Sequence, residues 1–236
     1  MTRNAYLAPT AIMDFENPLV SGFAEDALRH GRDTPVAQAV ALYYAVRDRI
    51  WYDPYLPFYR PAHYRAGKII ELGRAFCIGK AALLCALARS AGIPARLGYA
   101  DVRNHLATRQ LIELLGSDVF VYHGYTELYL EDRWVKATPA FNVELCRKHN
   151  VAPLEFDGRR DSVFQPYSKD RRMFMEYLAD HGSFADVPVD RIVAAMKAAY
   201  GAARVQGWID GYEAQGRLSG RNFDREDVVE NGKAGT

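Results

Sequence analysis

Residues 73–96, GRAFCIGKAALLCALARSAGIPAR, decide the fold. Ala81, Ala82, Leu83, Leu84, Cys85, Ala86, Leu87 and Ala88 put apolar groups on every side of a helix. The pattern predicts a helix over 77–91 that is buried all round. Gly92 stops it, with Pro94 just beyond. Cys77 opens this helix, where free backbone N–H groups and the positive dipole end favour a thiolate and can hold a developing oxyanion. The plainer reading, a small buried residue heading an apolar helix, fits the same position.

Working outward, the hydrophobic period changes from helical to two. Ala95 to Ala100 reads as a strand, and so does Val119 to Leu130, with Val121, His123, Tyr125, Glu127 and Tyr129 on one face. Trp134 to Thr138 follows a very short turn, which predicts a hairpin. Upstream, Asn17 to His30 has helical spacing through Leu19, Phe23 and Ala27. A second helix starts at Thr34 as N-cap with Pro35 at its first position. The run 51–61, WYDPYLPFYRP, reads as loop. Downstream, helices are expected from Lys169 to Ala179, capped by Ser168 and ended by Gly182, and from Asp190 to about Tyr200. This order of helices, buried helix, antiparallel sheet and helices makes the fold class α+β. The expected organisation is a single domain over 1–218, with a flexible polar tail over 219–236.

His123 lies within Val121-Tyr122-His123-Gly124-Tyr125-Thr126-Glu127. A histidine in mid-strand beside a glycine fits a site that something approaches closely. It also fits a core histidine satisfied by Glu127 or a carbonyl. With Cys77 it supplies what thiol catalysis requires, an imidazole that takes the thiol proton and returns it to the leaving group.

Gly73-x3-Cys77, the run Leu83 to Arg96, and His123-x3-Glu127-x-Tyr129 followed by Trp134 together resemble the core of the transglutaminase-like superfamily. The resemblance spans about Trp51 to Phe141. It implies a papain-like fold, with a nucleophilic Cys on the central helix and a His and an Asp on adjacent antiparallel strands. Members of that family include protein-crosslinking transglutaminases, cysteine proteases, peptide N-glycanases and inactive relatives. The implied activity is thiol chemistry on an amide or acyl group, with Cys77 and His123 as the pair and a peptide or protein as substrate. A non-catalytic peptide-binding module of the same fold is the alternative, and an arylamine N-acetyltransferase-like acyltransferase is a third reading. The Cys77 N–H would form part of the oxyanion site, with a group from the Trp51 to Tyr64 loop supplying the rest.

The chain departs from that pattern at one place. Where the family has Asp-Pro, this sequence has Thr138-Pro139. A hydroxyl accepts an imidazole N–H but does not stabilise imidazolium as a carboxylate does. A two-residue turn at Glu131-Asp132 pairs Leu130 with Arg133 and sets Thr138 opposite Tyr125, on the face of His123. Thr138 is therefore the expected third member, with Asp101 and Asn142 as substitutes.

Composition narrows the field. The chain has 236 residues, with 30 Lys and Arg against 29 Asp and Glu, and a net charge of +1. That balance argues against a broad nucleic-acid footprint. Three cysteines, an odd number without a CxxC pair, suggest neither a disulfide framework nor a zinc ribbon. The N-terminus lacks a signal-peptide pattern and no apolar run is long enough to span a bilayer, so a cytoplasmic protein without membrane association is expected. Gly73 to Lys80 fails as a phosphate loop, because five residues separate Gly73 from Gly79 and Ala81 stands where a magnesium ligand is needed. Asn104-His105 ranks below His123 as a base. The cluster of Arg159, Arg160, Lys169, Arg171 and Arg172 is interleaved with Asp161 and Asp170 and reads as solvated surface. Cys85 reads as core and Cys146 as loop. No cofactor and no metal are expected.

Overall fold

The computed structural model describes residues 3–29, 33–104, 107–163, 175–216, 218 and 221–226. Its axis is the helix α4, Cys77–Ser90, in which every residue from Ile78 to Arg89 is buried. Before it come α1 (Pro18–Leu28), α2 (Pro35–Arg49), β1 (Trp51–Tyr52), α3 (Ala66–Leu72) and β2 (Arg74–Ala75). After it come β3 (Ala95–Asn104), α5 (Arg109–Leu115), β4 (Val119–Leu130), β5 (Arg133–Ala137), α6 (Val143–Lys148), β6 (Met175–Phe184), α7 (Val189–Tyr200) and α8 (Ala202–Gln215). The class is α+β.

The caps behave as their residue types dictate. Asn17 Oδ1 accepts the Leu19 N–H at 3.0 Å and Thr34 Oγ1 accepts the Ala37 N–H at 3.2 Å, each satisfying one orphan donor of a first turn. Two basic side chains sit inside the apolar environment of α4, and both end on backbone carbonyls. Lys80 Nζ donates to Arg47 O at 2.8 Å and Ile50 O at 2.6 Å. It thereby caps the C-terminus of α2, where carbonyls lack helical partners. Arg89 donates to the carbonyls of Ala8, Ala95 and Ala185.

One antiparallel sheet lies against α4, in the order β5-β4-β3-β6. The hairpin turn is Glu131-Asp132, both residues left-handed at φ 47° and 63°, as a tight primed turn demands. Leu130 pairs with Arg133 as expected, and the ladder ends at Thr126 with Ala137. Thr126 faces α4, with its hydroxyl on Ala81 O at 2.9 Å. On the opposite face, Ala100, Val102 and Tyr125 pack with Cys146, Val151 and Met175.

Several expectations need correction. Met175 to Ala179 belong to strand β6, not to a helix; the remainder of that expected helix, with Ser168, lies outside the described residues, as do Lys169, Arg171 and Arg172. The free edge of β3 needs hydrogen-bonding partners along its length, and this tertiary demand overrides the helix propensity of a Met-Glu-Tyr-Leu-Ala run. Gly182, read as a helix stop, instead takes φ 79° beside the break in β3–β6 register. Trp51 and Tyr52 leave the loop to pair in parallel with Arg74 and Ala75. Cys146 is buried on α6 rather than in a loop. The first part of the tail is docked: Phe223 and Glu226 are buried against the body.

Candidate active site

The site begins where β2 delivers the chain into α4. Phe76 is extended, and Cys77 is the first residue of the helix. Two glycines let this first turn sit close to its neighbours. A Cβ on Gly124 would lie 3.0 Å from the Ile78 Cα, and one on Gly79 would lie 2.9 Å from the Ala75 Cβ. The close approach expected beside His123 is therefore made by the helix carrying Cys77.

Just before His123 the strand is irregular. Ala100 opposes His123, yet Val102 opposes Phe120, so one extra residue is accommodated on β4. Tyr122 absorbs it with φ 54°, and its N–H donates to Asp101 Oδ1 at 2.9 Å. Bulges of this kind re-aim the side chain that follows. The unbroken alternation expected from Val121 is thus interrupted at Tyr122. Thr126 and Gly124 face α4, so His123, in step with Tyr125, starts from the other face. The β5 ladder stops at Ala137, before the level of His123, so β5 does not flank that stretch of β4.

Cys77 and His123 line one cleft of about 680 Å³, counting its solvent-open mouth. Tyr52, Phe76, Leu111, Phe120, Tyr200 and Trp208 form much of its wall, so it is strongly apolar. His123 also borders a neighbouring cleft with Asn104, Thr108, Cys146, His149 and Phe223.

The apolar wall governs both titrations. Burial pushes the half-buried Cys77 thiol up to about 11. The backbone N–H groups of Gly124, Ile78 and Cys77 itself pull the other way and offset only part of it. Burial pushes the His123 imidazole down to about 3. Desolvation disfavours each charged form, so at neutral pH the cleft holds a protonated thiol and a neutral imidazole. Cys85 and Cys146 are raised as well, to about 12 and 11 by burial. Cys77 is distinguished from them by exposure, not by acidity.

The other expected residues are placed elsewhere. Thr138 is buried; its N–H donates to Ser162 O at 2.9 Å and its carbonyl accepts from the Tyr43 hydroxyl at 3.2 Å. Its own hydroxyl makes no hydrogen bond among the described residues, so the expected Thr138–imidazole bond is not formed. Asp101 is committed to His181 Nε2 at 2.7 Å and to the Tyr122 N–H. Asn142 uses its amide on Arg47 O, Ile50 O and the Tyr52 N–H, at 2.6, 2.8 and 2.8 Å. Glu127 is held by Arg96 Nε at 2.5 Å and Ser183 Oγ at 2.6 Å, and so ties β3, β4 and β6 together rather than serving His123. His105 lies outside the described residues. Among the described residues, no group of three or more His, Cys, Asp or Glu side chains is arranged to hold a metal ion, and no helix is long and apolar enough to cross a membrane.

Sequence reasoning missed Leu111 and the α8 residues Trp208 and Tyr212 that close the cleft, and it pointed to the Trp51 to Tyr64 loop without singling out Tyr52. Tyr52 sits in a proline-rich run that reads as loop, although its alternation with Ile50 is a readable signal. Trp208 and Tyr212 stand one turn apart in residues 202–215, a helical spacing visible in the sequence itself.

The family model of the transglutaminase-like superfamily matches residues 23–139. No curated protein matches the chain. A solved chain described as "a Putative Cysteine Protease from Cytophaga hutchinsonii" is similar at 17% identity and a TM-score of 0.44. That similarity covers 82% of this chain and 48% of the other, so the chain spans about half of that protein's length.

Proposed function

From the premise that the chain belongs to the transglutaminase-like superfamily, we propose that it is a thiol enzyme acting on an amide or acyl group of a peptide or protein. Cys77 is the nucleophile and His123 the general base and then the general acid. The carrying observation is that both side chains line the same apolar cleft, with three backbone N–H groups gathered at the sulfur.

The electrostatics favour one order of events. Because the resting pair is neutral, attack and proton transfer are coupled: the thiol gives its proton to the imidazole as its sulfur bonds to the carbonyl carbon. The imidazolium then returns that proton to the leaving group, and water or an amine accepts the acyl group. The helix-terminal N–H groups face the developing oxyanion, and Tyr52 on β1 lines the same cleft with a phenol that can donate a hydrogen bond. The sequence position expected to orient the imidazole is Thr138, which carries no charge and whose hydroxyl is not bonded to it, so imidazolium gains no carboxylate from that position. Three free cysteines fit a reducing compartment such as the cytoplasm.

Trapping the acyl-enzyme tests this reading. After incubation with p-nitrophenyl acetate, peptide mapping should find acetyl on Cys77 well ahead of Cys85 and Cys146. His123→Ala should slow that labelling by about 10²–10⁴-fold with the fold intact. Labelling that ignores the His123 substitution, or that favours another cysteine, would remove the catalytic assignment.

A further inference from the structure

The docked segment 223–226 comes from the far end of the chain, and its Phe223 borders the neighbouring cleft that His123 shares. Phe223 sits edge-on to Tyr52 and Tyr55, at 5.5 and 6.2 Å between ring centres, and lies nearly parallel to His149 at 6.3 Å. It belongs to an apolar cluster with Tyr52, Tyr55 and Leu111, against which Cys77 and Leu218 also pack. Leu218 itself lines the cleft that holds Cys77 and His123. This segment therefore adds apolar cover beside the thiol whose acidity burial suppresses.

Three residues after Phe223, the Glu226 carboxylate is buried. Its two oxygens lie 2.9 and 2.8 Å from the Tyr55 hydroxyl, and the second also lies 2.6 Å from the Thr108 hydroxyl. Its main-chain carbonyl accepts from Lys148 Nζ at 2.5 Å. The Thr108 hydroxyl already accepts the Leu111 N–H as the cap of α5, so its proton is directed at the carboxylate. The carbonyls of Tyr55 and Leu56 are held in turn by the Tyr212 hydroxyl, at 3.1 Å each. The pocket is thus built by the body of the protein, and it offers hydroxyl protons to an acceptor that has none to give. A carboxylate offers this pair of hydroxyls two acceptor oxygens, whereas an amide offers one.

We propose that the cleft neighbouring that of Cys77, bordered by His123, Thr108 and Phe223, carries a carboxylate subsite at its rim, made by Tyr55 and Thr108, for an acidic side chain three positions after an aromatic one. The chain's own Phe223 and Glu226 occupy it in the place of a peptide ligand. This rests on that cleft being part of the substrate groove of the thiol enzyme, but its test does not use the thiol.

The probe is a fluorescent synthetic peptide of residues 218–226, LSGRNFDRE, with binding read by polarisation. The protein is the full chain carrying Cys77→Ser together with Phe223→Ala and Glu226→Gln, its fold checked by thermal unfolding. This protein should bind the peptide, whereas the Cys77→Ser protein with its resident segment intact should bind at least tenfold more weakly. Changing the peptide's glutamate to glutamine, or Thr108 to Val in the protein, should each weaken binding at least tenfold. Equal binding of the glutamate and glutamine peptides, or none by the folded protein, overturns the subsite. Should that variant not fold, the unaltered chain answers: excess peptide should speed amide exchange at 221–226, and the glutamine peptide should not. Equal exchange with both peptides, or no acceleration with either, overturns it too. Peptide binding without acylation of Cys77 would leave the subsite standing and remove the catalytic reading.

Discussion

Two histidines stand on the same sheet in opposite circumstances. His123, on β4, is buried in an apolar cleft with a cysteine that heads a helix, and the Thr138 hydroxyl expected to hold it is unbonded among the described residues. His181, on β6, is 26% exposed, stacks on Tyr122 at 4.1 Å and 13°, and meets Asp101 at 2.7 Å. The carboxylate–imidazole geometry associated with a catalytic triad therefore exists in this protein, but at the residue that does not line the cleft. What separates the two is solvent. In the apolar cleft, burial disfavours the charged form of both the Cys77 thiol and the His123 imidazole. At His181, a partly hydrated carboxylate joins β3, the β4 bulge and β6.

The sharpest way to break this comparison is to delete each imidazole. His123→Ala should lower Cys77 acylation by about 10²–10⁴-fold, while His181→Ala should leave it within about twofold. Equal losses in matched acylation kinetics would dissolve the distinction.

Acid stability comes next in size. The folded-state value for His123, about 3, lies below the ordinary 6.5. The unfolded chain therefore binds a proton that the folded chain refuses, and stability falls as pH drops through 6.5 towards 3, by up to about 1.4 kcal/mol per unit. Between pH 6 and pH 4 the wild type should lose about 2–3 kcal/mol more than His123→Gln. Urea titrations at the two pH values measure this, and parallel losses would mean that His123 is not held neutral.

Thr138→Asp sharpens the comparison by offering His123 the charge that His181 already has. With no hydrogen bond joining position 138 to the imidazole, the expected result is a stability loss of about 2 kcal/mol from an unpaired buried acid. The pH profile of Cys77 alkylation should stay centred near 11. A profile moved a unit or more towards acid would show instead that the carboxylate reaches His123. The smallest effect is expected for Asp101→Asn. Its hydrogen bond with His181 is partly solvated and worth less than about 1 kcal/mol, and acylation of Cys77 should not change. A fall in acylation would tie the second histidine to the site after all.

What could be read from the sequence was what is locally encoded. The caps at Thr34 and Gly92, the all-apolar run of α4 and the Leu130–Arg133 hairpin each follow from neighbours within a few residues, and each is found. The close approach at Gly124 was legible as well, because a glycine inside a strand marks a bulge, a bend or a neighbouring backbone drawn in close. Strand β6 was not, since its pairing depends on an edge offered by residues 97–104, far upstream. The docking of Phe223 was hidden by a polar setting in which one aromatic ring carries the contact. The role of Thr138 depended on the direction of one hydroxyl, which pairing register does not determine: the register placed the residue, and the hydrogen bond did not follow.

The pairing of β3 with β6 also has a consequence in time. Residue 97 pairs with residue 184, so the outer edge of β3 has no partner until nearly ninety further residues have left the ribosome. At about 5–20 residues per second, that interval is roughly 4–17 s. Through it the nascent chain carries a hairpin-backed sheet with one long open edge, a template for pairing with other chains. For this protein, the safest moment to meet a chaperone falls between the synthesis of Leu130 and that of Phe184.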